Sequence, residues 1–151
     1  ATLIIGLPGE EEEDTQLTID LVNRLRDYKS LIVPLFMVGE GGLKGKASSF
    51  TLDKMTRKQG ELFLDCWEHN LRWSEGFLKE YFFTKGGGKG YGVKLVFSYG
   101  IKQGKKLIQK CKKDYECNLP AMIKDAQEGK ITVAPAPIRF IYRLLKKNDG
   151  D

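Results

Sequence analysis

The chain has 151 residues and a mass of 17.1 kDa, enough for one domain with a real core, or one domain and an appendage. At 41% hydrophobic and 30% charged residues it reads as globular, not disordered. Its longest apolar run, Leu31 to Val38, falls well short of the ~20 residues that span a bilayer, and three cysteines at irregular spacing argue against a disulfide framework.

A reducing, cytoplasmic setting is therefore expected. The net charge of +5 is unevenly spread: residues 1–75 hold nine Lys and Arg against thirteen Asp and Glu, and residues 76–151 hold sixteen against seven. Such asymmetry points either to halves that pack against each other or to an anionic partner for the basic half.

Ala1-Thr2-Leu3-Ile4-Ile5 opens the chain as an apolar strand, expected over residues 2–6 and of the kind buried on both faces of a parallel sheet. Gly6 to Gly9 forms a turn, and Thr15, Leu17, Ile19, Leu21, Val22 and Leu25 mark an amphipathic helix over 13–28. Residues 31–38 read as a second strand, which completes a βαβ unit. Because a buried-type strand stands at the start with no initiator methionine, the chain is expected to be a piece of a larger α/β enzyme.

A polar loop follows Gly39-Glu40-Gly41-Gly42. Thr56 is placed to N-cap a helix running through Leu62, Phe63, Trp67, Leu71 and Trp73, with a further helix over 74–83. Gly86 to Gly92 interrupts the chain before an amphipathic, lysine-faced helix over 93–113. A short helix is expected over 120–127, an extended stretch through Pro135 and Pro137, and a last helix over 138–147. The fold class is thus an α/β remnant followed by a mostly α-helical extension, divided near residues 44–52.

Gly6 and Gly9 permit backbone conformations closed to other residues and allow a ligand to approach the main chain. Glu10, Glu11, Glu12, Glu13 and Asp14 already place negative charge at the start of the helix, so a phosphate would be repelled and a ligand with an amino group suits the turn better. In parallel sheets such turns, at the C-terminal ends of strands, are where ligands bind.

Gly6-Leu7-Pro8-Gly9-Glu10, with its acidic first turn and Thr18 beyond, resembles the late-strand G-x-P-G-E-T segment of radical S-adenosylmethionine enzymes. The likeness is nearest to the cobalamin-binding-domain and methylthiotransferase-like archaeal branch. Pro34 to Leu43 is similar to the final barrel strand of that family and its P-x-G-T-x-L loop, and Trp67-Glu68-His69-Asn70-Leu71 resembles its C-terminal extension. Two positions depart from the pattern: Glu11 and Leu43 stand where the family carries threonine.

The resemblance implies that residues 1–45 are the last βαβ of a partial parallel β/α barrel and that 46–151 are the helical extension. It implies S-adenosylmethionine and a [4Fe–4S] cluster as cofactors, with cobalamin in one variant. Gly6, Leu7, Pro8, Gly9 and Glu10 would line the adenosyl and methionyl pocket, with Pro34 and Phe36 near the adenine. The family's Cys-x₃-Cys-x₂-Cys motif does not occur in these residues, so the cluster ligands and the N-terminal barrel half are expected elsewhere in the polypeptide. On its own the segment should be inactive. No catalytic residue and no metal ligand is assigned within it.

The remaining candidates read as structural. Cys66 and His69, three apart on a helix and flanked by tryptophans, are expected in a core, and Cys111 and Cys117 have no zinc spacing. Gly86 to Gly92 fits neither a Walker loop nor a dinucleotide fingerprint. The rival to the enzyme reading is a non-catalytic helical module that docks on RNA or an anionic membrane through Lys94, Lys102, Lys105, Lys106, Lys110, Lys112 and Lys113.

Overall fold

A computed structural model describes residues 1–37, 50–85 and 90–132, with side chains described outside 81–95. In chain order the elements are β1 (Thr2–Ile5), α1 (Glu12–Arg24), β2 (Val33–Phe36), a 3₁₀ turn (Leu52–Lys54), α2 (Arg57–Lys85), α3 (Gly90–Asp114) and α4 (Leu119–Gln127). A small α/β start thus leads into a helical part. The expected loop after β2, residues 86–89 of the glycine-rich break, the stretch through Pro135 and Pro137 and the last helix over 138–147 lie outside the described residues, as does most of the expected boundary.

β1 and β2 pair in parallel with Thr2 opposite Val33, Leu3 opposite Pro34, Ile4 opposite Leu35 and Ile5 opposite Phe36. The pleat sends alternate residues to opposite faces. Ile5 goes into a core with Ile19, Val22, Ile32, Leu62 and Cys66, against which Leu3, Phe36 and Phe63 pack. α1 and α2 therefore cover the same side of the sheet.

The other side is open: Ile4 is 50% exposed, Val33 49% and Leu35 47%. The apolar runs led us to expect cover on both faces. The described residues supply a layer for one.

Asn70 on α2 joins the layers through the main chain. Its Oδ1 accepts the Ile32 N–H at 2.7 Å and its Nδ2 donates to the Ile32 carbonyl at 2.6 Å, so the side chain acts as a strand partner just ahead of β2. One residue earlier, His69 Nε2 lies 3.0 Å from Ser30 Oγ and 3.2 Å from the Ser30 carbonyl.

α2 starts as expected. Thr56 Oγ1 accepts the Gln59 N–H and Gln59 Oε1 accepts the Thr56 N–H, each at 3.1 Å, a reciprocal capping box. The helix then continues where two helices were expected. Ser74 does not cap a new one; its hydroxyl donates to the Asn70 carbonyl one turn back, at 2.6 Å, which satisfies it within a continuous helix.

α2 and α3 pack antiparallel-style through a second core of Leu64, Ile108, Cys111 and Met122. Gly60 allows the α3–α4 connection to touch α2, since a Cβ there would stand 2.2 Å from the Cys117 carbonyl oxygen. Glu116 and Cys117 both adopt positive φ, at 48° and 63°, and Asn118 then caps α4 by accepting the Ala121 N–H at 3.1 Å.

Candidate functional site

The turn at the C-terminal end of β1 is built as its glycines suggest. Gly6 and Gly9 sit at φ of +82° and +81°, the left-handed region where a side chain is strained. Glu10 stabilises the turn from within: its Oε2 accepts the Gly6 N–H at 2.8 Å and the Gln59 Nε2–H at 2.7 Å. The carboxylate therefore ties the turn to the start of α2.

What approaches Gly6 most closely is a protein side chain. The Phe50 ring lies over it, so that a Cβ at Gly6 would be 2.1 Å from Phe50 Cδ2. Phe50 stacks on Phe36 with centroids 4.8 Å apart, and Phe36 stacks on Phe63 at 5.4 Å. Both faces of the Phe36 ring are thus engaged by aromatic neighbours. The outer part of the turn is different: Leu7, Pro8 and Gly9 are exposed, and nothing lies within 4 Å of a Cβ built at Gly9.

The seven residues expected at the cofactor pocket are therefore split by the pleat. Gly6 to Glu10 gather at one strand end, with Leu7, Pro8 and Gly9 open. Pro34 and Phe36 share the side of the sheet on which α1 and α2 pack, whereas Val33 and Leu35 point to the open side with Ile4. Phe50 and Gln59 complete the turn and were not singled out from the sequence. The Thr-x-x-Gln spacing of Thr56 and Gln59 was the available signal for Gln59; nothing local signals Phe50.

A second polar cluster lies between α1, α2 and α3, in a cleft of about 240 Å³. Lys112 bridges Asp65 at 2.6 Å and Glu68 at 2.5 Å. Burial raises the Asp65 carboxyl above its ordinary value in spite of this partner, whereas the Lys112 hydrogen bond holds Glu68 below its own. Burial opposes the charge on Lys112, but the two carboxylates together raise its pKa. His69 lines the same cleft, 4% exposed, with burial lowering its pKa and Nδ1 lacking a hydrogen-bond partner. Its Nε2 faces the Ser30 hydroxyl and carbonyl.

The cysteines are not gathered as a set of cluster ligands, Cys66 standing apart from Cys111 and Cys117. Cys66 belongs to the first core and Cys111 to the second, with burial pushing their thiols up to about 12 and about 11. Thiolates are the ligands such a cluster needs. Among the described residues no group of three His, Cys, Asp or Glu is placed to hold a metal ion.

The lysine run of α3 divides in two. Lys105 pairs with Glu75 at 3.7 Å, Lys110 with Asp114 at 2.8 Å, and Lys112 with the two acids on α2. Lys102, Lys106 and Lys113 are exposed, and at 100° per residue they fall within one 40° arc of the helix. The Lys94 side chain lies outside those described. Among the described residues, no helix is long and apolar enough to cross a membrane.

Comparison with protein-family models, with curated proteins and with solved structures finds no match to this chain.

Proposed function

We propose that this chain is the C-terminal part of a radical S-adenosylmethionine enzyme, contributing the last βαβ of a partial parallel barrel and a helical extension. The observation that carries the reading is the one-sided parallel pair. Helices cover one face, while Ile4, Val33 and Leu35 lie bare on the other. In a β/α barrel the helices pack outside the strands and the opposite face turns inward, against side chains of the other strands. A pair of parallel strands is otherwise a poor independent sheet, since parallel sheets occur with both faces covered.

The left-handed Gly6 and Gly9 support the same reading, as does the position of their turn at the C-terminal strand end, the ligand end of such barrels. In this reading Leu7, Pro8 and Gly9 offer the open backbone for S-adenosylmethionine, and Glu10 and Gln59 hold that backbone in place. On β2 the open-side residues Val33 and Leu35 bound the pocket, whereas Pro34 and Phe36 face the helices and support the strand end from behind. Phe36 acts through its stack with Phe50, which fixes the turn from behind.

In the complete enzyme the cluster would supply the electron for reductive cleavage of S-adenosylmethionine, and Leu7, Pro8 and Gly9 would offer the backbone that holds the cofactor. Cobalamin-linked methyl transfer is a variant of the same chemistry. The thiolates for the cluster lie outside these residues, and no chemical step is assigned to a side chain of this chain. The segment by itself would be inactive, and its partner is the N-terminal barrel half of the same cytoplasmic polypeptide.

The test is Gly9→Val in the complete polypeptide, purified without oxygen. An added Cβ meets no protein atom within 4 Å, but a valine there strains the turn and crowds its open backbone. S-adenosylmethionine affinity should fall at least about tenfold while cluster absorption is retained. Unchanged affinity would remove the turn from the pocket.

A further inference from the structure

Among the described residues, the second core is not closed on its outer side. Between α2, α3 and α4 runs an apolar groove of about 460 Å³, lined by Leu64, Ile108, Cys111, Met122, Ile123 and Ala126. On α4 the lining residues Leu119, Met122, Ile123 and Ala126 follow the i, i+3, i+4, i+7 spacing of a helix face made for burial. An apolar groove of this size left to water is costly. It is independent of the strand-end site.

The chain itself leads back to this groove. α4 ends at Gln127; Gly129 follows with φ of +75°, and the Lys130 and Ile131 N–H groups both return to the Asp125 carbonyl, at 2.9 and 3.4 Å. That reversal packs Ile131 against the core cluster that forms the groove floor. Ile131, next to the last described residue, thus brings the chain to the groove. Six residues after Thr132 the sequence reads Ile138-Arg139-Phe140-Ile141-Tyr142-Arg143-Leu144-Leu145. Six residues reach about 20 Å, ample to return along the groove. In the helix the sequence predicts over 138–147, Ile138, Ile141 and Leu145 would share one face, with Arg143 opposite.

We propose that the groove between α2, α3 and α4 is the seat of the chain's own residues 138–145, with Ile138, Ile141 and Leu145 against Ile108, Met122 and Ala126. The occupant is intramolecular because the described chain is already turned onto the groove by Gly129 and anchored there by Ile131.

The experiment uses the full chain and three variants: Ile141→Asp/Leu145→Asp in the segment, Ala126→Arg in the groove, and both combined. Thermal unfolding and hydrogen exchange of the amides of residues 119–127 are read for each. Docking predicts that the segment variant lowers Tm by about 5–10 °C and speeds α4 exchange roughly tenfold. It also predicts that Ala126→Arg does little more once the segment is already released.

If the segment variant leaves both readouts unchanged, the proposal fails. It fails equally if the two sets of changes add, because the sites are then independent. Should the full chain sediment as a dimer that Ala126→Arg dissociates, the occupant is a second copy and the intramolecular seat is overturned. The segment variant carries the test alone if Ala126→Arg does not fold.

Discussion

Replacing Asn70 by alanine removes two main-chain bonds at once. Ile32, 1% exposed, donates its N–H to Asn70 Oδ1 and accepts from Asn70 Nδ2. With the amide gone, a buried N–H and a buried carbonyl lose their partners, each at a cost of about 1–3 kcal/mol. The expected loss is therefore roughly 2–6 kcal/mol, a large part of the ~5–15 kcal/mol that holds a domain together. In a chain of this length each kcal/mol corresponds to about 2–4 °C, so Tm should fall by on the order of 10 °C. Urea unfolding followed by far-ultraviolet circular dichroism reads the same loss as a lower midpoint.

Asn70→Asp sharpens the test. Its carboxylate still accepts from the Ile32 N–H but, when ionised, sets an oxygen against the Ile32 carbonyl. Burial and that repulsion raise its folded pKa, so the folded state binds the proton more readily and stability is recovered as pH falls through that value. Loss at neutral pH with partial recovery on acidification is the expected pattern. An Asn70→Ala change of under about 0.5 kcal/mol, the size of an ordinary surface substitution, would refute the role assigned to this side chain.

Other outcomes follow from the same geometry. Gly6→Ala should destabilise by about 1–3 kcal/mol, and removing the ring with Phe50→Ala should restore only part, because the strain of φ +82° remains; full restoration in denaturant titration would place all the cost on the ring. Gly60→Ala gains about 1 kcal/mol of helix propensity but drives a methyl into the Cys117 carbonyl, so a net loss of stability is expected, and a stabilised variant would contradict the close α2 contact. Glu68 is held below its ordinary 4.5 by Lys112, so its contribution is complete above 4.5 and is lost as pH falls through the folded value. Glu68→Gln should therefore flatten the acid limb of a stability–pH profile, and an unaltered limb would show that the pair contributes nothing.

The elements were legible where local chemistry decides them. TLII and VPLF announce strands, Thr56 with Gln59 announces a helix start, and Asn118-Leu119-Pro120 announces another. A separate helix over 74–83 was expected, but α2 runs on without a break, and the Ser74 hydroxyl bonds back to the Asn70 carbonyl within it. The open sheet face was also illegible. Both alternations of each strand are apolar, so nothing in four residues says which side the helices take.

At the candidate site, the glycine turn could be read from Gly6 and Gly9, but its closure by Phe50, 44 positions away, could not. Nor does the lysine run tell which members are engaged. Lys112 differs from Lys113 only in which side of α3 it occupies, and Asp65 and Glu68 on α2 make that difference.

The central claim is that these residues belong to an iron–sulfur radical enzyme. The most direct measurement is the intact mass and visible spectrum of the native polypeptide, isolated without oxygen by an antibody to this segment. A chain much heavier than 17.1 kDa, with broad cluster absorption bleached by dithionite, is the result expected. A colourless native chain of 17.1 kDa would contradict the claim and leave the exposed Lys102, Lys106 and Lys113 face as the feature to pursue, by salt titration against RNA and anionic vesicles.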